Sequence, residues 1–187
     1  VIVNGYYKNG QKDSLWTEYQ WRKSKLVSKG MFAKDNKVGI WEYYDYKGEL
    51  EQKYDYSKAE LLYNKIDEKT KNKEYRVIQG TDTVKMKLDR LPIYIGGTAM
   101  LYNPVTDNIK YPVFAMENDI SGEVNISFVI DSLGKTSNYR ILNGIGGGCD
   151  EEALRVVKII PENWLPGILN GRPISVEYVL PIKYSLE

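Results

Sequence analysis

A tandem repeat occupies the first fifty residues and limits the fold more than any other feature of the chain. Side chains of the first copy recur 25 positions later, unchanged or closely related. The matched positions are Gly5 with Gly30, Tyr7 with Phe32, Lys12 with Lys37, Trp16 with Trp41, and Tyr19 with Tyr44. A fixed period of this length is typical of units that stack on one another to bury their apolar surface.

Each copy is predicted to form one β-hairpin, because an aromatic segment and a segment with Trp and Tyr flank a polar turn. The turns are Lys8-Asn9-Gly10 and Lys34-Asp35-Asn36-Lys37. A degenerate third copy begins near Leu50, and we expect its second strand to be missing or eroded. From Asn4 to about Tyr56 the pattern resembles the bacterial variant of the MORN-type repeat. We interpret the aromatic stripe as the packing core of a small β-meander rather than a ligand platform.

The segment that follows the repeats is predicted to be a connector. Residues 57–76 lose aromatic density, and Leu61, Leu62, Lys65 and Ile66 have a spacing compatible with a short helix. Their charges alternate in sign and cancel, which does not favour a nucleic-acid contact. Residues 77–91 alternate weakly and predict one or two strands. We therefore expect a repeat module at 1–60, a linker at 61–91 and a second module at 92–187.

The second module is predicted to have the order helix, strand, strand, helix, strand. The predicted elements are a short helix that starts at Pro112, strands at Gly122–Asp131 and Thr136–Leu142, a helix capped by Asp150 that runs from Glu151 to about Ile160, and a strand at Ile174–Leu186. This order predicts helices packed on one face of a small antiparallel sheet, which is an α+β fold.

A series of short motifs in the second module resembles the TonB C-terminal domain in the style of Bacteroidetes-like bacteria. The motifs are Pro92-x-Tyr94-x-Gly96-Gly97, Tyr111-Pro112-x-x-Ala115, Gly122-x-Val124, Phe128-Val129-Ile130-Asp131-x-x-Gly134, Asp150-x-x-Ala153-x-x-Val156, Trp164-x-Pro166-Gly167-x-x-Asn170-Gly171 and Leu180-Pro181-Ile182. The chain departs from the usual pattern in the glycine-rich segment 144–149 and in the turn at 161–164. Both departures fall in predicted loops, so the fold prediction is unaffected.

The resemblance implies a periplasmic, non-catalytic domain that binds a peptide of an outer-membrane receptor or of another envelope protein. An exposed final strand accepts such a peptide by β-augmentation. On the assumption that this strand lies at a sheet edge, the partner-binding residues are expected to be Ser175, Val176, Glu177, Tyr178, Val179, Leu180, Lys183 and Tyr184. Tyr111 and Pro112 form a motif linked with receptor contact in the family, although Pro112 also serves to start a helix. The alternative for the final strand is that it is a core strand whose edge is covered by another element or a second copy.

The residue types present argue against catalysis. The sequence has no histidine, which excludes histidine-based triads and the commonest metal ligand. Cys149 therefore has no histidine to activate it, and the glycine run 144–148 lacks the Gly-Lys-Ser/Thr ending of a phosphate-binding loop. The remaining carboxylates are scattered without the spacing of a metal site. We expect no enzyme activity, no catalytic residues, no metal and no cofactor.

Charge and hydropathy bear on the partners and the location. Lys and Arg number 26 against 25 for Asp and Glu, so no net field attracts nucleic acid or an anionic membrane. No run of about 18 apolar residues is present, so any membrane attachment is expected to come from an N-terminal anchor or leader removed from this chain. We expect the protein in the periplasm or cell envelope, as a receptor-binding module with a role in energy-coupled transport. The alternative is a structural or self-associating scaffold that forms a homodimer and has no transport role.

Overall fold

The computed structural model describes residues 2–20, 25–66, 73–80 and 82–186. The chain divides into two compact units. Unit 1 comprises Val1–Lys71 and Tyr94–Tyr102, and unit 2 comprises Asn72–Ile93 and Asn103–Glu187. The predicted α+β class is confirmed: antiparallel hairpins come first and a mixed module of helices and strands follows. The domain boundaries at 60 and 92 remain predictions.

Unit 1 contains a six-stranded antiparallel sheet whose strand order follows the sequence. Its strands are β1 (Ile2–Lys8), β2 (Gln11–Tyr19), β3 (Leu26–Ala33), β4 (Asn36–Tyr44), β5 (Leu50–Asp55) and β6 (Glu60–Asn64). The first two hairpins have two-residue loops with positive φ, at Asn9 (52°) and Gly10 (78°) and at Lys34 (50°) and Asp35 (66°). Such loops match the twist of the flanking strands. The predicted hairpins are confirmed, and the MORN-type identity remains a prediction.

The third repeat is more complete than the sequence indicated. Its second strand is present as β6, where Leu61 pairs with Tyr54 and Tyr63 pairs with Lys53. The short helix predicted around Leu61 and Leu62 is therefore wrong, because pairing with β5 satisfies this backbone as an edge strand instead. Residues 67–72 of the predicted connector lie outside the described residues.

The aromatic side chains of the repeats form a ladder on one face of this sheet. Trp16 contacts Tyr7 and Phe32 edge-on, with ring centroids 5.2 and 5.5 Å apart. Trp41 contacts Phe32 at 5.1 Å and Tyr56 at 6.2 Å in the same manner. Both indoles are almost completely buried. The interpretation of the aromatic stripe as a packing core agrees with this geometry, since edge-to-face pairs add to the free energy of burial.

A distant segment completes unit 1. The buried Gln52 side chain donates to the carbonyl of Tyr94 (3.1 Å) and accepts from the amide of Gly96 (2.7 Å). The carboxylate of neighbouring Glu51 accepts from the amide of Thr98 (2.9 Å) and from its hydroxyl. These hydrogen bonds hold the Gly96-Gly97 motif against β5, so this part of the predicted second module belongs to the compact unit of the repeats.

The remaining elements continue from the linker to the C-terminus. They are β7 (Tyr75–Gln79), β8 (Asp82–Met86), β9 (Ile93–Tyr94), α1 (Gly97–Asn108), α2 (Val113–Glu117), β10 (Gly122–Ile130), β11 (Thr136–Asn143), α3 (Cys149–Val157), β12 (Trp164–Leu165), β13 (Gly167–Leu169) and β14 (Arg172–Tyr184). The main sheet of unit 2 has the order β11-β10-β14-β7-β8, and β13 pairs with the start of β14. None of the helices in the described ranges is long and apolar enough to cross a membrane.

Two helices differ from the sequence prediction. Helix α1 was not predicted, because Pro104 inside it and the glycines at its start are unfavourable for a helix. Helix α3 begins at Cys149, with Gly148 as its N-cap, and ends at Val157 rather than near 160. Asp150 is therefore not the cap. Its carboxylate instead accepts hydrogen bonds from the amides of Ile145 (2.8 Å) and Gly146 (3.1 Å) in the preceding loop.

The core of unit 2 lies between α3 and one face of the sheet. Alternate residues of β10 and β14 face inward and are almost completely buried, as expected for a strand with one buried face. These residues are Val124, Ile126, Phe128 and Ile130 in β10 and Val176, Leu180, Ile182 and Tyr184 in β14. Helix α3 contributes Ala153, Val156 and Val157.

Candidate partner-binding strand edge

The final strand β14 is paired unequally along its two sides. On one side it pairs with β10 without interruption from Val176 to Tyr184. On the other side β7 pairs only with Ser175, Val176 and Glu177. The assumption that the whole strand lies at an edge therefore fails at these three residues. Within the described ranges no strand pairs with β14 beyond Glu177 on the β7 side, and we call the β7-side backbone of residues 178–184 the outer edge of β14. Pro181 within this stretch makes an interaction of its own.

Pro181 indicates which backbone groups face the outer edge. In an antiparallel pair, consecutive residues direct their N–H and C=O groups alternately toward and away from the partner strand. Pro181 has no N–H, yet it sits opposite Asn125 in an unbroken register. Its nitrogen must therefore point away from β10. By alternation, the N–H groups of Val179 and Lys183 point away from β10 as well.

The side chains of this segment alternate between the core and the opposite face. Tyr178, Leu180 and Tyr184 face inward, whereas the side chains of Val179 and Lys183 are exposed, Val179 by 42%. Burial raises the pKa of Tyr178 to about 12 and also raises that of Tyr184, so both phenols stay neutral at physiological pH. A strand added here would contact neutral aromatic and aliphatic groups on one face and a lysine on the other.

Glu177 is the last residue of β14 that pairs with β7, and it is buried on the face opposite α3. Its carboxylate accepts from Arg76 of β7 at 3.1 Å and from Arg140 of β11 at 2.5 Å. Burial by itself would raise the pKa of this carboxyl, but Arg76, the nearby Ser127 hydroxyl and Arg140 together outweigh it and the pKa is lowered. The ion pair fastens β7 to β14 at the point where the outer edge begins. Sequence reasoning placed Glu177 among the binding residues and gave no sign of its two partners, which are 101 and 37 positions away.

Tyr111 and Pro112 lie close to the end of β14. The ring of Tyr111 packs edge-on against Tyr184 at 5.3 Å, and its hydroxyl donates to the carbonyl of Ile120 (2.6 Å). Pro112 is the N-cap residue of α2. Both residues thus have structural partners, and their contact with a receptor remains a prediction.

The short helix α2 exposes three large apolar side chains. These are Val113, Phe114 and Met116, exposed by 63%, 62% and 44%, while Ala115 is fully buried. A five-residue helix buries only one narrow stripe, so the remaining apolar residues face solvent. The sequence signal that could have shown this is the run of four apolar residues, which is too continuous for a helix with one buried stripe.

The cysteine and the glycine-rich loop show no catalytic arrangement. The Cys149 side chain is buried, and this burial raises the pKa of its thiol, with Asp150 and Glu151 raising it further. A raised pKa reduces the thiolate fraction that a nucleophile needs. The loop amides of Ile145 and Gly146 are already bonded to Asp150, which would also repel a phosphate.

Comparison with known families gives a match for the C-terminal part of the chain. Residues 107–186 match the model of the family described as the Gram-negative bacterial TonB protein C-terminal. The match covers α2, β10, β11, α3 and the strands that follow, including all of β14, and it confirms the resemblance found in the sequence for this segment. Domains of this family lie in the envelope of Gram-negative bacteria and interact with outer-membrane receptors. A search of the curated proteins and a search of the solved structures found no significant match.

Proposed function

We propose that unit 2 is a periplasmic binding module that takes up an extended peptide of an envelope protein by strand addition at the outer edge of β14. The partner we favour is a segment of an outer-membrane receptor, because that is the kind of partner with which domains of the matched family interact. Enzymatic activity is not part of this proposal, since the family is one of protein interaction.

One observation carries the proposal. Strand β14 continues for seven residues after its last pair with β7, and β10 pairs with it over this whole length. Pairing with β10 keeps the segment extended, so a partner strand would not have to order it. At about 3.3 Å per residue the segment is roughly 23 Å long. Pro181 already has an interaction of its own, so we propose that the partner strand pairs through the outward amides of Val179 and Lys183.

The position of β7 supports a defined register for the partner. β7 already adds to β14 in the manner proposed for the partner, and the ion pair of Glu177 with Arg76 holds it there. A partner strand would therefore begin beyond Glu177, next to Val179. Coupling to an inner-membrane motor would further require that the module be tethered to that membrane.

The test is an NMR titration of the ¹⁵N-labelled full chain with peptides from the N-terminal segments of outer-membrane receptors of the same genome. We expect saturable shifts at Val179 and Lys183, and little change at the strand β8. A binding peptide is then N-methylated at alternate residues in two complementary sets. One set should abolish binding and the other should not, because only every second amide of an added strand faces β14.

Two outcomes would contradict the proposal. Equal effects of the two N-methylated sets would show that the peptide binds without strand pairing. No shift with any receptor peptide, together with a stable dimer in sedimentation equilibrium whose β14 amides are protected from exchange, would favour the self-associating scaffold instead.

A further inference from the structure

The β7–β8 hairpin lies outside the segment that matches the family, yet it belongs to the main sheet of unit 2. The family match begins at residue 107, whereas the hairpin occupies residues 75–86. Among the described residues β8 pairs with β7 alone, and β7 joins β14 through three residue pairs. The hairpin is therefore an addition to the matched segment, and it is attached to the same strand that carries the outer edge.

β7 and the partner strand would use one series of backbone groups on β14. The N–H groups of Ser175 and Glu177 point away from β10, by the same alternation that directs those of Val179 and Lys183 outward. β7 pairs with Ser175 and Glu177. It therefore occupies the first two positions of the series that the partner strand would continue.

The N-terminal end of β7 points toward the outer edge. β7 runs antiparallel to β14 and pairs Arg76 with Glu177. Tyr75 therefore comes next to Tyr178, the first residue of the outer edge. The phenol of Tyr75 contributes to the raised pKa of Tyr178, in agreement with this proximity. One more residue of β7 in this register would lie opposite Val179, so a longer β7 and a partner strand at Val179 exclude each other.

Two side chains of β7 hold the hairpin to β14. Val77 is fully buried beside its partner Val176, which is also fully buried. Arg76 forms its ion pair with Glu177 although 55% of the arginine side chain is exposed. The side chains of residues 82–85 in β8 are exposed. A strand that replaced β7 would thus have to supply one buried aliphatic contact, while Arg140 would still neutralise Glu177.

We infer that the β7–β8 hairpin is an internal competitor of the partner strand, and that a partner long enough to pair from Ser175 onward displaces it. This inference rests on the function proposed for the outer edge. A short partner pairs beyond Glu177 and leaves the hairpin in place. A displacing partner carries an aliphatic residue beside Val176, in the place of Val77.

Amide hydrogen exchange of the unliganded full chain tests whether the hairpin opens by itself. The N–H groups of Arg76 and Ile78 face β14, whereas that of Val176 faces β10. We expect the protection factors of Arg76 and Ile78 to be at least about tenfold lower than that of Val176, because local opening needs less free energy than unfolding of the sheet. Equal protection would show that β7 leaves only when the sheet unfolds, and would overturn the inference.

A reversible lock tests the competition itself. Val77 and Val176 are a non-hydrogen-bonded pair, whose Cα spacing of about 4.5 Å a disulfide can bridge. Both are changed to cysteine in a chain that carries Cys149→Ala. The probes are two peptides from one outer-membrane receptor segment, ten residues long to match 175–184 and six residues long to match 179–184. Oxidation should weaken binding of the longer peptide about tenfold, to the affinity of the shorter one, and reduction should restore it.

A substitution that loosens the hairpin should have the opposite effect. Arg76→Ala removes the ion pair with Glu177 and should strengthen binding of the longer peptide about threefold, the scale of one partly exposed ion pair. Lys85→Ala is the matched control, because Lys85 is exposed, carries the same charge and lies opposite Arg76 in the hairpin. This change should leave the affinity within about 1.5-fold.

The outcomes separate this inference from the function on which it rests. Equal affinity of the oxidised and reduced forms for the longer peptide, or equal effects of Arg76→Ala and Lys85→Ala, would overturn the inference and leave the proposed function intact. No binding of either peptide to any form would overturn the proposed function, and the inference with it.

Discussion

Replacement of Gly30 by alanine should destabilise unit 1, although the backbone of Gly30 itself favours any residue with a side chain. Gly30 has no positive φ, so its lack of a Cβ is not required by the backbone. It is required by Trp41, whose indole ring lies directly over the Gly30 Cα, where an added methyl group would overlap three ring carbons. Nonbonded carbons rest about 3.5–4.0 Å apart, so the indole would have to move by about an ångström.

The cost of that movement follows from what surrounds the ring. Trp41 is fully buried, its Nε1 donates to the carbonyl of Met31 (3.1 Å), and Lys37 lies 4.1 Å above the ring centroid. Overpacking a core costs about 1–3 kcal/mol, and the loss of the indole hydrogen bond costs about 1 kcal/mol more. Replacement of a strand glycine returns about 0.5–1 kcal/mol of unfolded-state entropy. The expected net loss is about 2–3 kcal/mol of unfolding free energy.

The assay is urea unfolding followed by tryptophan fluorescence and near-UV circular dichroism. The urea midpoint of Gly30→Ala should fall by about 1 M, since m for small proteins is about 1–3 kcal/mol/M. Gly10→Ala is the matched control, because a Cβ there meets nothing within 4 Å and costs only the strain of φ 78°, about 1 kcal/mol. An unaltered midpoint and spectrum for Gly30→Ala, or a smaller loss than in Gly10→Ala, would refute the reasoning.

Three further predictions concern unit 2. Glu177→Gln should lower the free energy of unfolding by about 1–2 kcal/mol at pH 7. The difference in stability between variant and parent should shrink as the pH falls below about 4, because a carboxyl with a lowered pKa stabilises the fold only while it is ionised. Thermal melts in which the difference between the two proteins stays constant with pH would contradict this. Tyr111→Phe should lower the urea midpoint through loss of the hydroxyl's hydrogen bond to the carbonyl of Ile120, whereas a higher midpoint would argue against that bond. The Cys149 thiol should react with a thiol reagent only in denaturant, and stoichiometric labelling of the native protein within minutes would contradict its burial.

Local patterns in the sequence were sufficient for most secondary structure and for the α+β class. The repeat of Trp16 and Trp41 predicted the hairpins, and alternation in β10 predicted a strand with one buried face. Local patterns gave the wrong prediction at Leu61 and Leu62, where pairing with β5 outweighs the helical spacing. They also gave no prediction of α1, because Pro104 is unfavourable inside a helix. The same patterns misplaced Asp150, because a cap and a loop-binding carboxylate have the same sequence signal before a helix.

The candidate strand edge could be predicted from the sequence to a lesser degree than the secondary structure. The sequence by itself determined that residues 175–184 form a strand, since side-chain alternation is a property of neighbouring residues along the chain. It also determined, through the absence of an N–H at Pro181, which amides point away from one neighbour. Only the tertiary structure decided that β7 pairs with Ser175–Glu177 and ends there, because strand pairing joins residues about 100 positions apart, and no local pattern encodes the partner.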